Sequence, residues 1–143
     1  MNGLGAAATQ YTSRYFIVES YRDGKKTRME FERGMPVIDG NPVDVFRTQY
    51  DMESFVPDIS DTDEPNGTYV KWKPDDEVFT DVNVGGDWLY EVCRDIAYVA
   101  GIDLHFTDKQ SGRDEYVKAG DLSDLLRNKY NGGLLKNSDG EDT

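Results

Sequence analysis

Few residues of this 143-residue chain are grouped in a way that could do chemistry. Near the start, Asn2-Gly3-Leu4-Gly5 runs into Ala6-Ala7-Ala8-Thr9, a glycine pair leading into a helical composition. Glycines so placed let backbone N–H groups approach a phosphate, and the positive end of the following helix favours the anion. The same residues also suit a plain N-terminus ahead of a short helix. No Walker-type lysine follows them, which excludes an ordinary P-loop. Asp58, Asp61, Asp63 and Glu64 superficially have calcium-loop spacing. Pro65 takes a ligand position there, however, and no glycine or distal glutamate falls where such a loop needs it. His105, the sole histidine, alternates with Asp103 and Thr107 on a polar face, with no nucleophile or second ligand beside it. Cys93 is the sole cysteine, so an internal disulfide and a multi-thiolate metal centre are both excluded. Spacing alone supplies no catalytic constellation and no metal site.

The elements that must position these residues are legible in part. Arg14–Arg22 and Lys25–Arg33 flank Asp23-Gly24, a dipeptide suited to a two-residue hairpin turn. Pairing across it sets Val18 opposite Met29 and Phe16 opposite Phe31 on one face, and Glu19 opposite Arg28 on the other. Thr68–Lys73 alternates as a third strand, with Val70 and Trp72 predicted inward. Asp87–Ala100 carries apolar residues at three- and four-residue spacing and reads as an amphipathic helix. Asp87 is its expected N-cap and Gly101 its terminator. Trp72, Trp88 and Cys93 are expected in the core. Ile102–Thr107 is a fourth strand, and Asp121–Tyr130 a short helix. The order predicts an α+β fold with a mostly antiparallel sheet backed by a helix.

Composition bounds the function. With 28 acidic against 16 basic residues the net charge is −12, and a phosphate backbone would repel such a chain unless a basic patch reversed the field. The charge is uneven: residues 39–66 hold eight acidic residues and only Arg47, whereas residues 1–38 are net positive. Three of the five prolines, Pro42, Pro57 and Pro65, lie in that acidic stretch, which is expected to be a long exposed loop or insertion. The tail from Asn131 is expected to fray. No apolar run approaches the roughly 20 residues of a membrane span. The composition predicts a soluble, cytoplasmic, acidic globular chain with no membrane partner.

Taken in order, these pieces resemble one family, the ATPase region of type IIA DNA topoisomerase B subunits, gyrase B and topoisomerase IV B. Asn2-Gly3-Leu4-Gly5-Ala6, continuing to Thr12-Ser13, is similar to the family's ATP-lid stretch, (H/N)-G-x-G-A…S. Arg22-Asp23-Gly24-Lys25 and Phe31-Glu32-Arg33-Gly34 resemble the turn and end of the hairpin that follows it. Gly67-Thr68-Tyr69-Val70-Lys71-Trp72-Lys73-Pro74-Asp75, with Phe79, resembles the G-T-x-V-x-F-x-P-D…F segment. Ala100-Gly101 and Ile102–Lys109 look like the family's helix end and next strand, and Tyr116–Leu126 like the start of the transducer domain. Residues 39–66 depart from the pattern, being longer and more acidic, and Gly120 keeps only part of an E-G-G signature.

The resemblance implies a GHKL (Bergerat-type) ATPase α/β sandwich, present as its C-terminal half over residues 1–120, with transducer and flexible tail over 121–143. It implies ATP and Mg as ligands of a full-length parent, with the remainder of the B subunit, the A subunit and DNA as partners. Asn2, Gly3, Leu4 and Gly5 are the implied phosphate-side contacts, Gly3 and Gly5 through backbone N–H groups. Thr68 is the implied hydroxyl donor near adenine. The general-base glutamate, the magnesium-ligand asparagine and the adenine-reading aspartate of the family would lie ahead of Met1, so the chain alone is expected to be inactive; missing sheet neighbours would leave an open edge, so self-association is also expected. The alternatives are a stand-alone acidic interaction protein, a decoy or DNA mimic, and another GHKL protein.

Overall fold

The computed structural model describes residues 4–45, 56–118, 120 and 122–129. The chain divides into two compact units, Met1–Val82 and Asn83–Thr143. The first holds α1 (Leu4–Tyr11), β1 (Ser13–Arg22), β2 (Lys25–Glu32), β3 (Met35–Ile38), β4 (Asn41–Pro42), β5 (Asp58–Asp61) and β6 (Gly67–Pro74). The second holds α2 (Gly86–Ala100), β7 (Leu104–Asp108), β8 (Arg113–Val117) and α3 (Leu122–Lys129). Every pairing among the described strands is antiparallel.

Three successive two-residue turns build the larger sheet. Asp23-Gly24, Arg33-Gly34 and Asp39-Gly40 all take positive φ at both positions, the twist that matches flanking antiparallel strands. The first was expected. Asp39-Gly40 carries the same sequence signal inside a stretch read as a loop. Arg33-Gly34 was hidden, because an arginine rarely takes positive φ.

The strand order is β4-β3-β2-β1-β6, with β5 also paired to β2. The expected hairpin register holds: Phe16 faces Phe31, Val18 faces Met29 and Glu19 faces Arg28. On its other side, β1 pairs Phe16 with Trp72, Val18 with Val70 and Ser20 with Thr68. Directly opposed residues share a face. One face therefore carries Phe16, Val18, Met29, Phe31, Val70 and Trp72, bordered by a polar row of Thr27, Ser20 and Thr68. The other carries Glu19, Tyr21, Lys26, Arg28 and Glu30.

The outer edge of β2 is divided between two strands. β3 pairs with Phe31 and Glu32, and β5 pairs with Lys25–Arg28. Residues 46–55 of the acidic stretch lie outside the described residues. The part from Asp58 to Asp61 is exposed as expected, yet it is a strand and not a loop. The reason is electrostatic. The paired edge of β2 is basic, so Lys25 meets Asp61 in an ion pair and Arg28 stands opposite Asp58. Asn66 Oδ1 accepts from the Asp23 N–H at 2.9 Å, and the Thr62 N–H donates to Gly24 at 3.0 Å, closing the segment over the first turn.

In the second unit, α2 packs on β7 and α3. Its N-cap is Gly85, not Asp87. Asp87 is drawn away by Arg113, whose Nη1 lies 2.7 Å from its Oδ1. Gly101 ends the helix in the left-handed conformation, as expected, and the Ile102 N–H bonds back to Ala97 at 3.0 Å. That reversal delays β7 to Leu104. The core here is Ala97, Phe106, Val117 and Leu125, with Tyr90 edge-on to Phe106. Arg113 caps Tyr90, its guanidinium 3.8 Å from the ring centre.

Three residues expected inward are not buried. Val70 and Trp72 are about half exposed, because β6 is an outer strand of the sheet among the described strands. Trp88 is 64% exposed, because the buried contact of α2 is centred further along, at Ala97. Cys93 is partly buried. The short helix expected over Asp121–Tyr130 is α3, and the tail beyond it lies outside the described residues.

Candidate functional site

Of the expected contact residues, Asn2 and Gly3 lie outside the described residues. Leu4 and Gly5 form the first two positions of α1, both exposed. Their N–H groups belong to the first turn, which has no intrahelical acceptor for them, so this end of α1 offers donors to an anion. Space around Gly5 is open: a Cβ there would meet no atom within 4 Å.

The other end of α1 is tied down. Thr12 Oγ1 donates to Ala8 O at 2.8 Å and Ser13 Oγ to Thr9 O at 2.5 Å, so hydroxyls satisfy carbonyls that the helix end leaves open. Ser13 is 1% exposed. The Asp75 N–H donates to Thr12 O at 3.0 Å. Gln10 Nε2 donates to Gly34 O at 3.3 Å, and the Tyr11 ring covers Gly34 so closely that a Cβ there would lie 2.6 Å from Tyr11 Cδ1. Glycine at 34 is thus required twice, by this contact and by its φ of 79°. Arg33 Nε lies 3.1 Å from Asp75 Oδ2, and its Nη2 donates to Glu77 Oε1 at 2.8 Å. Asp75 Oδ1 accepts from the Glu77 N–H at 3.0 Å.

Thr68 stands at the start of β6, opposite Ser20, at the polar border of the apolar face. Its side-chain hydroxyl has no hydrogen-bond partner among the described residues. From Thr68 the strand runs on to Pro74, which opposes Ser13, just past the C-terminal end of α1. Six residues of strand, about 20 Å, separate Thr68 from that junction. The structure therefore places Leu4-Gly5 and Thr68 on separate elements of one unit, with no hydrogen bond joining them.

Two polar clusters were not foreseen as such. Glu19 is 7% exposed, and it accepts from Tyr21 Oη at 2.5 Å, Arg28 Nη1 at 2.6 Å and Lys26 Nζ at 3.0 Å. The Tyr21 hydroxyl, then Lys26 and Arg28, hold its carboxyl down to about 2. The reciprocal contacts raise the Lys26 and Arg28 values. The Glu19–Arg28 pairing was legible from register, whereas Lys26 and Tyr21 join through their same-face, i+2 positions. The second cluster, Arg33 with Asp75 and Glu77, lies within recognised motifs, but nothing in spacing shows that they meet.

His105 pairs with Asp114 on β8, Nε2 to Oδ1 2.6 Å, and stacks on Tyr116 at 3.9 Å between ring centres. Thr107 also donates to Asp114, at 3.2 Å. All of these are exposed, on a two-stranded surface. Among the described residues no trio of His, Cys, Asp or Glu side chains could hold a metal ion. No described helix is long and apolar enough to cross a membrane.

No family model matches the chain. It is 32% identical over 119 residues to the B subunit of DNA gyrase from Thermotoga maritima, covering 82% of this chain and 16% of that protein. It is 32% identical over 114 residues to the type 2 topoisomerase B subunit of Aquifex aeolicus, covering 79% of this chain and 12% of that protein. The chain thus spans well under a fifth of the length of these relatives. Its fold is similar to the crystal structure of the ATPase domain of Thermus thermophilus gyrase B in complex with an aminocoumarin. That match has a TM-score of 0.71 and 25% identity, covering 95% of this chain and 34% of that one. Alike in sequence and in fold, the chain belongs to the type IIA DNA topoisomerase B-subunit family and matches the GHKL ATPase region of its members.

Proposed function

We propose that this chain supplies the lid end and the later strands of an ATP-binding region within a type IIA topoisomerase B subunit. In this reading Leu4 and Gly5, with Asn2 and Gly3 before them, present backbone N–H groups to the nucleotide phosphates. The open space at Gly5 and the donor-rich start of α1 support that role. Thr68 addresses the base. The observation that carries the reading is its position: a hydroxyl with no partner among the described residues, bordering the apolar face of Val18, Val70 and Trp72. A purine needs that combination, apolar area for its ring and a directed polar group for its edge.

ATP hydrolysis needs a base to activate water, and a metal on the phosphates supplies charge stabilisation. Among the described residues no three His, Cys, Asp or Glu side chains could hold a metal ion by themselves, and in this reading the magnesium ligand and the base come from the remainder of the subunit. No hydrolytic step is therefore assigned to this chain, which is proposed to bind and position nucleotide within a longer subunit. That subunit would couple ATP to DNA strand passage in the cytoplasm, together with an A subunit. The match extends over 82% of the chain, against the reading as an independent acidic decoy. The charge of residues 39–66 is in part committed internally, Asp61 to Lys25.

The test is a chimera in which this chain replaces the matched segment of the Thermus thermophilus ATPase domain. The proposal expects ATP turnover by the chimera and none by the chain alone. A folded chimera that binds no ATP would refute it.

A further inference from the structure

We infer that Arg33 and Asp75 form a clamp that fixes the direction of α1 and so positions the N–H groups at its far end. The positioning itself stands on geometry, and its consequence for nucleotide rests on the reading above. α1 has only eight residues and buries none of them, so it cannot hold its own orientation. Among the described residues, the remote groups that grip it lie at its C-terminal end and come from two segments. Gly34, in the turn between β2 and β3, receives the Tyr11 ring and the Gln10 amide. Asp75, just past β6, donates its N–H to Thr12 O.

β2 and β6 flank β1 and are not hydrogen-bonded to each other, and Arg33 and Asp75 each lie one residue beyond those strands. Across that gap the two strand ends are joined directly by the Arg33–Asp75 pair, at 3.1 Å. The Asp75 side chain is 5% exposed and is matched by Arg33 and the Glu77 N–H, so removing Arg33 strands a buried carboxylate. Arg33 holds a positive φ of 49°, and that turn geometry brings its guanidinium onto the chain beyond β6. A helix of eight residues is about 12 Å long, so a small tilt at Tyr11 moves Leu4 and Gly5 by a comparable or larger amount. The Arg-Gly and Pro-Asp positions thereby acquire a shared purpose, as positioning residues acting through α1.

Amide hydrogen exchange on the full 143-residue chain, without nucleotide, tests the clamp. In Arg33→Ala, the α1 amides and the Asp75 N–H should exchange about tenfold faster, while Val18 and Met29 in the sheet stay as in the parent. Arg33→Lys, which keeps charge but loses the guanidinium fork, should fall between. Gly34→Ala, which drives a Cβ into Tyr11 and strains the turn that carries Arg33, should loosen the same amides. Unchanged α1 exchange in Arg33→Ala, or equal acceleration at Val18 and Met29, would overturn the clamp. Binding of a non-hydrolysable ATP analogue with Mg by the chimera gives the second readout. Weakened binding in Arg33→Ala with partial recovery in Arg33→Lys supports the nucleotide consequence, and identical binding overturns it. A parent chimera that binds no analogue overturns the nucleotide reading, while the exchange data still decide the clamp.

Discussion

Glu19 and Arg28 face each other across β1 and β2, with Glu19 Oε1 2.6 Å from Arg28 Nη1, and Lys26 and Tyr21 close on the same carboxylate. This joins the basic half of β2 to the one buried carboxylate of the central strand. Its folded value of about 2 lies below the ordinary 4.5, so its ionisation favours the folded state above pH 4.5. That contribution is lost as pH falls from 4.5 toward 2. Glu19→Gln is expected to be less stable than the parent at neutral pH, with the difference shrinking across this window. Urea midpoints at several pH values measure it, and a difference independent of pH would contradict the assignment.

Phe106 is a buried residue of the second unit and meets Tyr90 edge-on at 5.4 Å. Phe106→Ala should cost about 3–5 kcal/mol from lost burial and the cavity left behind. Thermal or urea unfolding checks this. A cost below ~1 kcal/mol would show that the unit closes over the gap.

The pairing of β5 with β2 places opposite charges side by side at the sheet margin, Asp61 with Lys25 and Asp58 across from Arg28. Lys25, Asp58 and Asp61 are exposed, whereas Arg28 is half-buried and paired with Glu19 and Glu30, so the charge attraction holding β5 is weak and screened by salt. Asp58→Asn with Asp61→Asn should release β5, seen as faster exchange at Ile59 and Ser60, with the rest of the sheet unchanged. Molar salt should act the same way on the parent. Salt-insensitive protection of β5 would mean that backbone pairing alone holds it.

What the sequence disclosed follows from how local each signal is. The Asp23-Gly24 turn and the alternation around it specify a register, since a slip by one residue would move Val18 and Met29 to the wrong face. α2 was legible from its apolar spacing and Gly101 for the same reason. Its N-cap was misassigned to Asp87, because Arg113, 26 residues away, competes for that carboxylate. β5 escaped detection because it depends on charge complementarity with β2 and not on alternation. The Arg33–Asp75 contact spans 42 positions, so only the three-dimensional turn at Arg33-Gly34 reveals it. Gly5 was legible as one of a glycine pair ahead of a helix, whereas Thr68 entered through resemblance alone; the fold adds the open space at one and the apolar border at the other.

Val70 and Trp72 leave half-exposed apolar area beside β6, a margin of the sheet among the described strands. Such a margin invites association. Sedimentation should show mass rising with concentration, and Trp72→Glu should suppress it. A monomer at high concentration would count against this surface being sticky.

The proposed nucleotide role turns on Thr68 meeting the base with its hydroxyl. In the chimera, Thr68→Val removes that hydroxyl at nearly constant shape, and Thr68→Ser retains it. Thr68→Val should raise KM for ATP about tenfold, with kcat changed much less and Thr68→Ser close to the parent. Equal KM values for all three proteins would contradict that contact.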